Sequence, residues 1–420
     1  VDVALGVDIG TSGVRIAAVD SSKALRAMAT APMPAPIAAE GRIRQDPALW
    51  WQATLAAFAG LKLEALTVRA IAVDGTSGTI LAVDDDGAPT GLASMYNDPC
   101  GKAELARISA VAPRETAALG GTSPLARAME IAGGAPRILH QADWIMGRLT
   151  GRYDVTDENN ALKSGYDPVS RQWPGWIAAA GFDPARFPRV MAAGARAGTI
   201  ARHVAHQLGL PEDVAVVAGT TDGGAAFLAS GASEPGDGVT SLGTTLTLKL
   251  LTLQPVFAPD FGIYSHRIGG QWLAGGASNS GGAVLAKYFS AEDLTRLTPL
   301  LDPARPTGLD YYPLAKPGER FPVNDPDFAP RLEPRPADDR LFLQAMLEGM
   351  ARIEADAYAK LEALGASPLA SIRTVGGGAA NAAWTAIRLK ALGVPARPSL
   401  SEHAAVGAAL LAWRGIGHAH

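Results

Sequence analysis

The sequence predicts an α/β fold, and three observations carry that prediction. Strand-like and helix-like segments alternate along nearly the whole chain. Short apolar runs such as Val3 to Val7 and Val214 to Ala218 are closed by acids or glycines and read as buried strands. A turn rich in glycine and hydroxyls, Asp8-Ile9-Gly10-Thr11-Ser12, has an echo at Ser241-Leu242-Gly243-Thr244-Thr245. Each copy lies between two apolar strands, one copy in each half of the chain.

The elements follow in order. Strand 3–9 enters the first turn and strand 14–20 leaves it. Asp46 before Pro47 is an N-cap followed by proline at the first helical position, which opens a helix over 47–59. Strands at 70–74 and 79–83 flank Asp74-Gly75-Thr76-Ser77-Gly78-Thr79, a third turn of this composition that reads equally well as an ordinary strand end. Helices are expected at 100–110, 136–148 and 173–180. Strand 214–218 runs through Gly219-Thr220-Thr221 into a helix at 222–230. Strands at 238–242, 245–251, 261–267 and 271–275 precede a helix at 280–289. Prolines from Pro303 to Pro336 break any regular element over 301–337, which predicts a surface excursion. Asp338-Asp339 opens a long helix over 338–364 that Gly365 stops. A strand at 371–375, the glycines Gly376, Gly377 and Gly378, and helices at 380–391 and 402–413 complete the pattern.

The chain has 420 residues, 48% hydrophobic and 19% charged, enough to bury more than one large core without staples. A boundary near 218 divides it into 1–218 and 219–420. The net charge of −4 gives no electrostatic reason to expect nucleic acid or an anionic membrane. Cys100 is the only cysteine, so no internal disulfide is possible, in keeping with a reducing compartment. No signal-peptide pattern and no apolar run of about 20 residues is present, which predicts a cytoplasmic protein. The histidines His140, His203, His206, His266, His403, His418 and His420 show no metal-ligand spacing. The P-loop pattern is absent, so any ATP site is of another kind.

Several segments carry chemistry. The tip of the Asp8 turn offers backbone N–H groups, hydroxyls and a carboxylate, which suit a polyphosphate and its magnesium. An acid at position 222 sits in the first turn of a helix, whose dipole favours its anion by about 0.3–1 kcal/mol. There Asp222 suits a general base for a sugar hydroxyl, or a simple cap of its own helix. Three glycines before Asn381 and Trp384 let a flat ring or a phosphate approach the backbone. As a dinucleotide fingerprint the segment is weak, because Asn381 stands where a third glycine belongs. Asn97-Asp98 suits the hydroxyls of a polyol, or a plain turn. Cys100 reads as a packed small residue.

Asp8 to Ser12, Gln45-Asp46-Pro47 with Trp50-Trp51, Asn97-Asp98, Gly219 to Asp222, Ser241 to Thr244, Gly275 to Ser278, and the triple glycine before Asn381 fall in one order. That order resembles the FGGY carbohydrate kinases over essentially the whole chain. The resemblance implies two actin-like ATPase (ribonuclease H-like) lobes around a central cleft, with 1–218 mainly sugar-binding and 219–420 mainly nucleotide-binding. Met95 to Asp98, the run Asp157 to Asp167, and Tyr264 to Arg267 resemble a short branch of cyanobacterial and plant D-ribulose kinases, also called xylulose-kinase-like. Many family members carry an arginine two residues after Asn-Asp, where this chain has Cys100.

Carried over residue by residue, the resemblance implies ATP and Mg2+ as cofactors. Asp222 would be the base and Asp8 the magnesium partner, also near the sugar. Thr11, Ser12, Gly243 and Thr244 would face phosphates, and Gly376, Gly377, Asn381 and Trp384 would frame the adenosine. Ser77 and Asp98, with Asp8 and Asp222, would meet sugar hydroxyls. The implied reaction is phosphorylation of D-ribulose to D-ribulose 5-phosphate, with D-xylulose or a pentitol as the alternative substrate. A non-catalytic actin-like protein and a dinucleotide-dependent dehydrogenase are the readings from other classes. The implied partners are small molecules, and the implied assembly is a monomer or homodimer.

Overall fold

The computed structural model describes residues 1–418, so His420 lies outside the described residues. The chain divides into two compact units. One holds Val1–Ala229, His266–Gly270 and the residues from His403 onward. The other holds Ser230–Ser265 and Gln271–Glu402. The chain passes between them after Ala229, on either side of His266–Gly270, and after Glu402, so neither unit is one unbroken stretch.

The first unit is built on β1 (Asp2–Ile9), β2 (Gly13–Asp20), β3 (Leu25–Pro32), α1 (Pro47–Gly60), β4 (Thr67–Gly75), α2 (Gln141–Thr150), α3 (Glu158–Leu162), β5 (Ala215–Thr221) and α4 (Asp222–Ala229). Its main sheet runs from the strand Arg196–Thr199 through β5, β4, β1 and β2 to β3. β5, β4 and β1 are parallel, while β2 and β3 return antiparallel. The alternation within β1 explains what covers each face. Val3, Leu5, Val7 and Ile9 pack with Trp50, Phe58 and Trp144 in one core. Ala4 packs instead with Ala70, Ala72 and Trp413. That second face is lined with small side chains because the helix Ala404–Gly415 crosses it closely. A Cβ on Gly6 would lie 1.8 Å from the Ala405 carbonyl oxygen.

α1 forms as the sequence predicts. The Asp46 side chain accepts the Ala48 amide at 2.9 Å, a cap worth about 1 kcal/mol. The helix expected at 136–148 begins later. Arg137–His140 is a strand paired antiparallel with Ile80–Val83, and α2 starts at Gln141. Ile138 and Leu139 point to opposite faces and both are fully buried, which a strand between two cores satisfies. The helix expected at 173–180 is reduced to Trp176–Ala179.

The second unit contains β6 (Asp237–Leu242), β7 (Leu246–Thr252), β8 (Gln271–Ser278), α5 (Asp339–Ala363), β9 (Ser371–Val375) and α6 (Ala382–Leu392). Its strands lie in the order β9, β6, β7, β8, with β9 and β6 parallel and the others antiparallel. β4, β1, β2 and β3 have the same order and directions. The repeated turn thus belongs to a repeated sheet motif. The strand expected at 261–267 is a short turn at Pro259–Phe261 and a strand at His266–Ile268.

The stretch 301–337 lacks regular helices and strands beyond the short turn Thr298–Leu300 at its start, as expected, but it is more than surface. Tyr311, Leu314 and Phe321 are buried, and α5 holds the segment through Gln344 and Glu348. Proline removes backbone donors without preventing aromatic side chains from reaching a core.

Candidate active site

Sheet register brings three carboxylates together. Asp8 on β1 lies opposite Asp74 on β4. Thr220 on β5 lies opposite Asp74 on its other side, and Asp222 follows two residues later as the first residue of α4. Directly paired residues in a parallel ladder share a face, so the three acids converge where the parallel strands end. Arg15, the rung partner of Asp8 on β2, sits 3.6 Å from its carboxylate.

Asp74 is fully buried, and neither of its oxygens accepts a hydrogen bond. Burial, followed by the charges of Asp8 and Asp222, pushes its pKa well above the carboxylate range. Burial also raises Asp8, and Asp74, Arg15 and His403 oppose that rise. Asp222 is half-buried and accepts its neighbour's amide, Gly223 N, at 2.6 Å. The Thr221 hydroxyl accepts the Gly224 amide at 3.2 Å, so the cap of α4 is not left to Asp222 alone. Sequence reasoning noted Asp74 only as the start of a turn. Its proximity to Asp8 is a matter of register between strands far apart in sequence.

Around this rung lie three turns. The first is closed by Gly10 N to Gly13 O at 3.0 Å and braced by Gln45, whose amide reaches the Thr11 carbonyl at 3.4 Å. Gln45 in turn accepts the Trp50 indole at 2.8 Å. Thr11 and Ser12 stand at the open tip. The second turn, after β4, leaves Ser77 partly exposed, while Thr76 and Thr79 bond each other at 2.6 Å. The Gly78 carbonyl accepts from the buried Arg127, which also donates to the Met95 carbonyl at 2.7 Å and the Ser94 hydroxyl at 2.9 Å. Burial pulls the Arg127 guanidinium down to about 10.

The third turn holds Asp98. It is fully buried, and its oxygens accept the Ile43 amide at 2.8 Å and the Ser94 hydroxyl at 2.6 Å. Arg42 and Arg44 approach it at 3.3 and 3.2 Å. In this structure Asp98 serves the chain's own cations. Sequence reasoning missed all three arginines. Arg42 and Arg44, two residues apart on one strand, share a face, and that spacing was the available signal.

In the second unit, Gly243 and Thr244 form the tip between β6 and β7, with Thr244 exposed. Beside it lies a cavity of about 410 Å³, lined among others by Leu242, Gly243, Leu285, Thr298, Gly377 and Trp384. Gly376 adopts φ +86°, which glycine alone takes without strain, and its Cβ position would lie 3.0 Å from the Leu242 carbonyl oxygen. A Cβ on Gly378 would stand 2.6 Å from the Trp384 ring. Asn381 lines the cavity but its amide oxygen caps α6 at Trp384 N, 2.9 Å, and its nitrogen meets the Thr298 hydroxyl at 3.3 Å. Trp384 is 3% exposed, so it is both core and cavity wall.

Among the described residues no group of three or more His, Cys, Asp or Glu is arranged to hold a metal ion. Among the same residues no helix is long and apolar enough to cross a membrane.

Comparison with known proteins identifies the family. The model of the FGGY carbohydrate kinase N-terminal domain matches residues 3–117 and 126–229, and that of the C-terminal domain matches 238–416. A xylulose kinase from Staphylococcus epidermidis is 24% identical over 99% of this chain and 88% of its own length. A ribulokinase from Halalkalibacterium halodurans is 27% identical, over only 45% of this chain and 39% of its own. The crystal structure of a xyloylose kinase from Brucella ovis superimposes with a TM-score of 0.86 at 24% identity, covering 99% of this chain and 91% of that one. Two actin-like ATPase lobes, matched in sequence by both domain models, make this chain a member of the FGGY family of carbohydrate kinases.

Proposed function

We propose that the chain transfers the γ-phosphoryl group of ATP to the terminal O5 of a free ketopentose, D-ribulose being the substrate that the motif set favours. The observation that carries the reading is the paired Asp8 and Asp74 with Asp222 beside them, half-buried at the start of a helix two residues after Thr220, the other partner of Asp74. Asp222 takes the proton from the sugar hydroxyl as its oxygen bonds to the γ-phosphorus, and the bond from that phosphorus to the leaving ADP oxygen breaks.

Asp8 is the carboxylate that would hold Mg2+, which neutralises phosphate charge when bound. Asp74, fully buried on the neighbouring strand, backs Asp8 from the inner side. Thr11, Ser12, Gly243 and Thr244 offer hydroxyls and amides to phosphate oxygens. Gly376, Gly377, Asn381 and Trp384 shape the adenosine side. Ser77 meets sugar hydroxyls directly, and Asp98 acts on the sugar side by holding Arg42 and Arg44. The domain roles follow: residues 1–218 chiefly bind sugar, and 219–420 chiefly bind nucleotide.

D-xylulose is the second reading, favoured by the similarity to a xylulose kinase over nearly the whole chain. A coupled assay of ADP release over D-ribulose, D-xylulose, ribitol, L-fuculose and glycerol decides. The highest kcat/KM is expected for D-ribulose. A higher value for D-xylulose replaces the first reading by the second, and no turnover of any pentose or pentitol overturns both.

A further inference from the structure

α3 carries a buried amide that none of these roles uses. Asn159 is 1% exposed. Its Nδ2 donates to the Thr220 hydroxyl at 2.9 Å and to the Arg267 carbonyl at 2.8 Å, and its Oδ1 accepts the Arg267 amide at 2.8 Å. Both amide protons and the oxygen are therefore engaged. The Arg267 backbone, which both donates and accepts, leaves one orientation for the side chain. α3 itself is held by Asp157, whose carboxylate accepts the Asn159 and Asn160 amides at 2.8 and 3.0 Å.

The partner of Asn159 matters more than its own burial. Thr220 is the residue of β5 that pairs with Asp74, and it precedes Asp222 by two positions. Its hydroxyl fills the space beside Gly224 in the first turn of α4, where a Cβ would lie 2.5 Å from that oxygen. One hydroxyl thus meets Asn159 on one side and the turn bearing Asp222 on the other. The Arg267 anchor lies in His266–Gly270, the short stretch that returns to the first unit from the middle of the second.

We infer that Asn159 is a positioning residue for Asp222, acting through the Thr220 hydroxyl to seat the first turn of α4. The inference rests on the reading of Asp222 as the base that receives the sugar proton. A misplacement of about 1 Å at a reacting group costs on the order of 100-fold in rate. The loss falls on the step that needs the base, and binding of sugar and ATP is spared.

The test compares Asn159→Ala, the near-isosteric Thr220→Val, Thr220→Ser, the Asn159→Ala/Thr220→Val double variant, and Asn159→Ala combined with Asp222→Asn, in the full chain. Sugar phosphorylation and ATP affinity are measured for each. Asn159→Ala and Thr220→Val should each lower kcat for phosphorylation by roughly 10–100-fold with little change in either KM. Affinity for ATP, measured by calorimetry, should be unchanged, because binding involves no proton transfer. Thr220→Ser should keep near-native turnover, and the double variant should be no slower than either single one. With Asp222 already replaced, Asn159→Ala should cost nothing further. Multiplying losses, a parallel loss of ATP affinity, or a further fall in the Asp222→Asn background overturns the inference while leaving the base assignment intact. Full turnover by Asp222→Asn alone overturns the base assignment, and this inference with it.

Discussion

Asp8 and Asp74 lie directly opposite each other on neighbouring parallel strands, and burial pushes the pKa of the deeper one, Asp74, well above its ordinary value. A pair of like-charged carboxylates at that distance would repel, and phosphate would repel both. The upward shift of Asp74 favours its neutral form, which removes one of those charges.

Asp74→Asn keeps a donor toward Asp8 and should retain most of the activity. Asp74→Ala removes it, and a lost hydrogen bond to a charged group is worth about 1.5–3 kcal/mol. Its kcat/KM should therefore fall roughly 10–100-fold further than that of Asp74→Asn. Steady-state kinetics on both variants, with circular dichroism to confirm folding, provides the check.

Asp222→Asn should lower sugar phosphorylation by roughly 100- to 10,000-fold, the usual contribution of a positioned base. ATP binding, followed by calorimetry, should be unchanged, because the cavity proposed for the nucleotide is lined by other residues. Unchanged turnover would reject the role.

Gly378→Ala should raise the KM for ATP while leaving the KM for sugar alone. The added methyl would meet the Trp384 ring and the Leu242 Cβ at 2.6 and 2.7 Å, and both line the cavity. Overpacking of this kind costs about 1–3 kcal/mol, or roughly 5- to 150-fold in nucleotide affinity if the ring is driven into the cavity. Equal KM values for ATP in the two proteins would show that the ring yields elsewhere.

Asp157 predicts a pH dependence of stability. Burial, with the charge of Asp143 adding to it, raises its pKa to about 7 despite three hydrogen bonds that lower it. An acid raised in this way binds its proton more tightly folded than unfolded. Its contribution is fully present below the unfolded value, near 3.9, and is lost as pH rises through about 7. The thermal midpoint should therefore fall between pH 5 and pH 8 more in the native protein than in Asp157→Asn. Parallel curves for the two proteins would count against the assignment.

Much of the fold was legible because its signals are local. The N-cap at Asp46, the apolar runs of β1 and β5 and the two echoing turns each announce themselves within a few residues. The ordered motifs pointed to the family, which both domain models match. Short elements were harder to see. Arg137–His140 looks helical in isolation and becomes a strand only because Ile80–Val83 lies beside it. The proline-rich stretch gave no sign that Phe321 would be fully buried.

The site divides along the same line. By itself the sequence determined which segments carry chemistry, since hydroxyls, glycines and acids clustered in a turn are visible without a partner. It set Asp8 at the end of one strand and Asp222 at the start of one helix. Only the tertiary structure decided that Asp74 pairs with Asp8, that Asp98 is enclosed by Arg42, Arg44 and Ser94, and that Asn159 reaches Thr220 across 61 residues. The physical reason is that strand register and burial arise from contacts between distant segments. Register chooses which side chains share a face, and burial decides which of the acids keeps its charge.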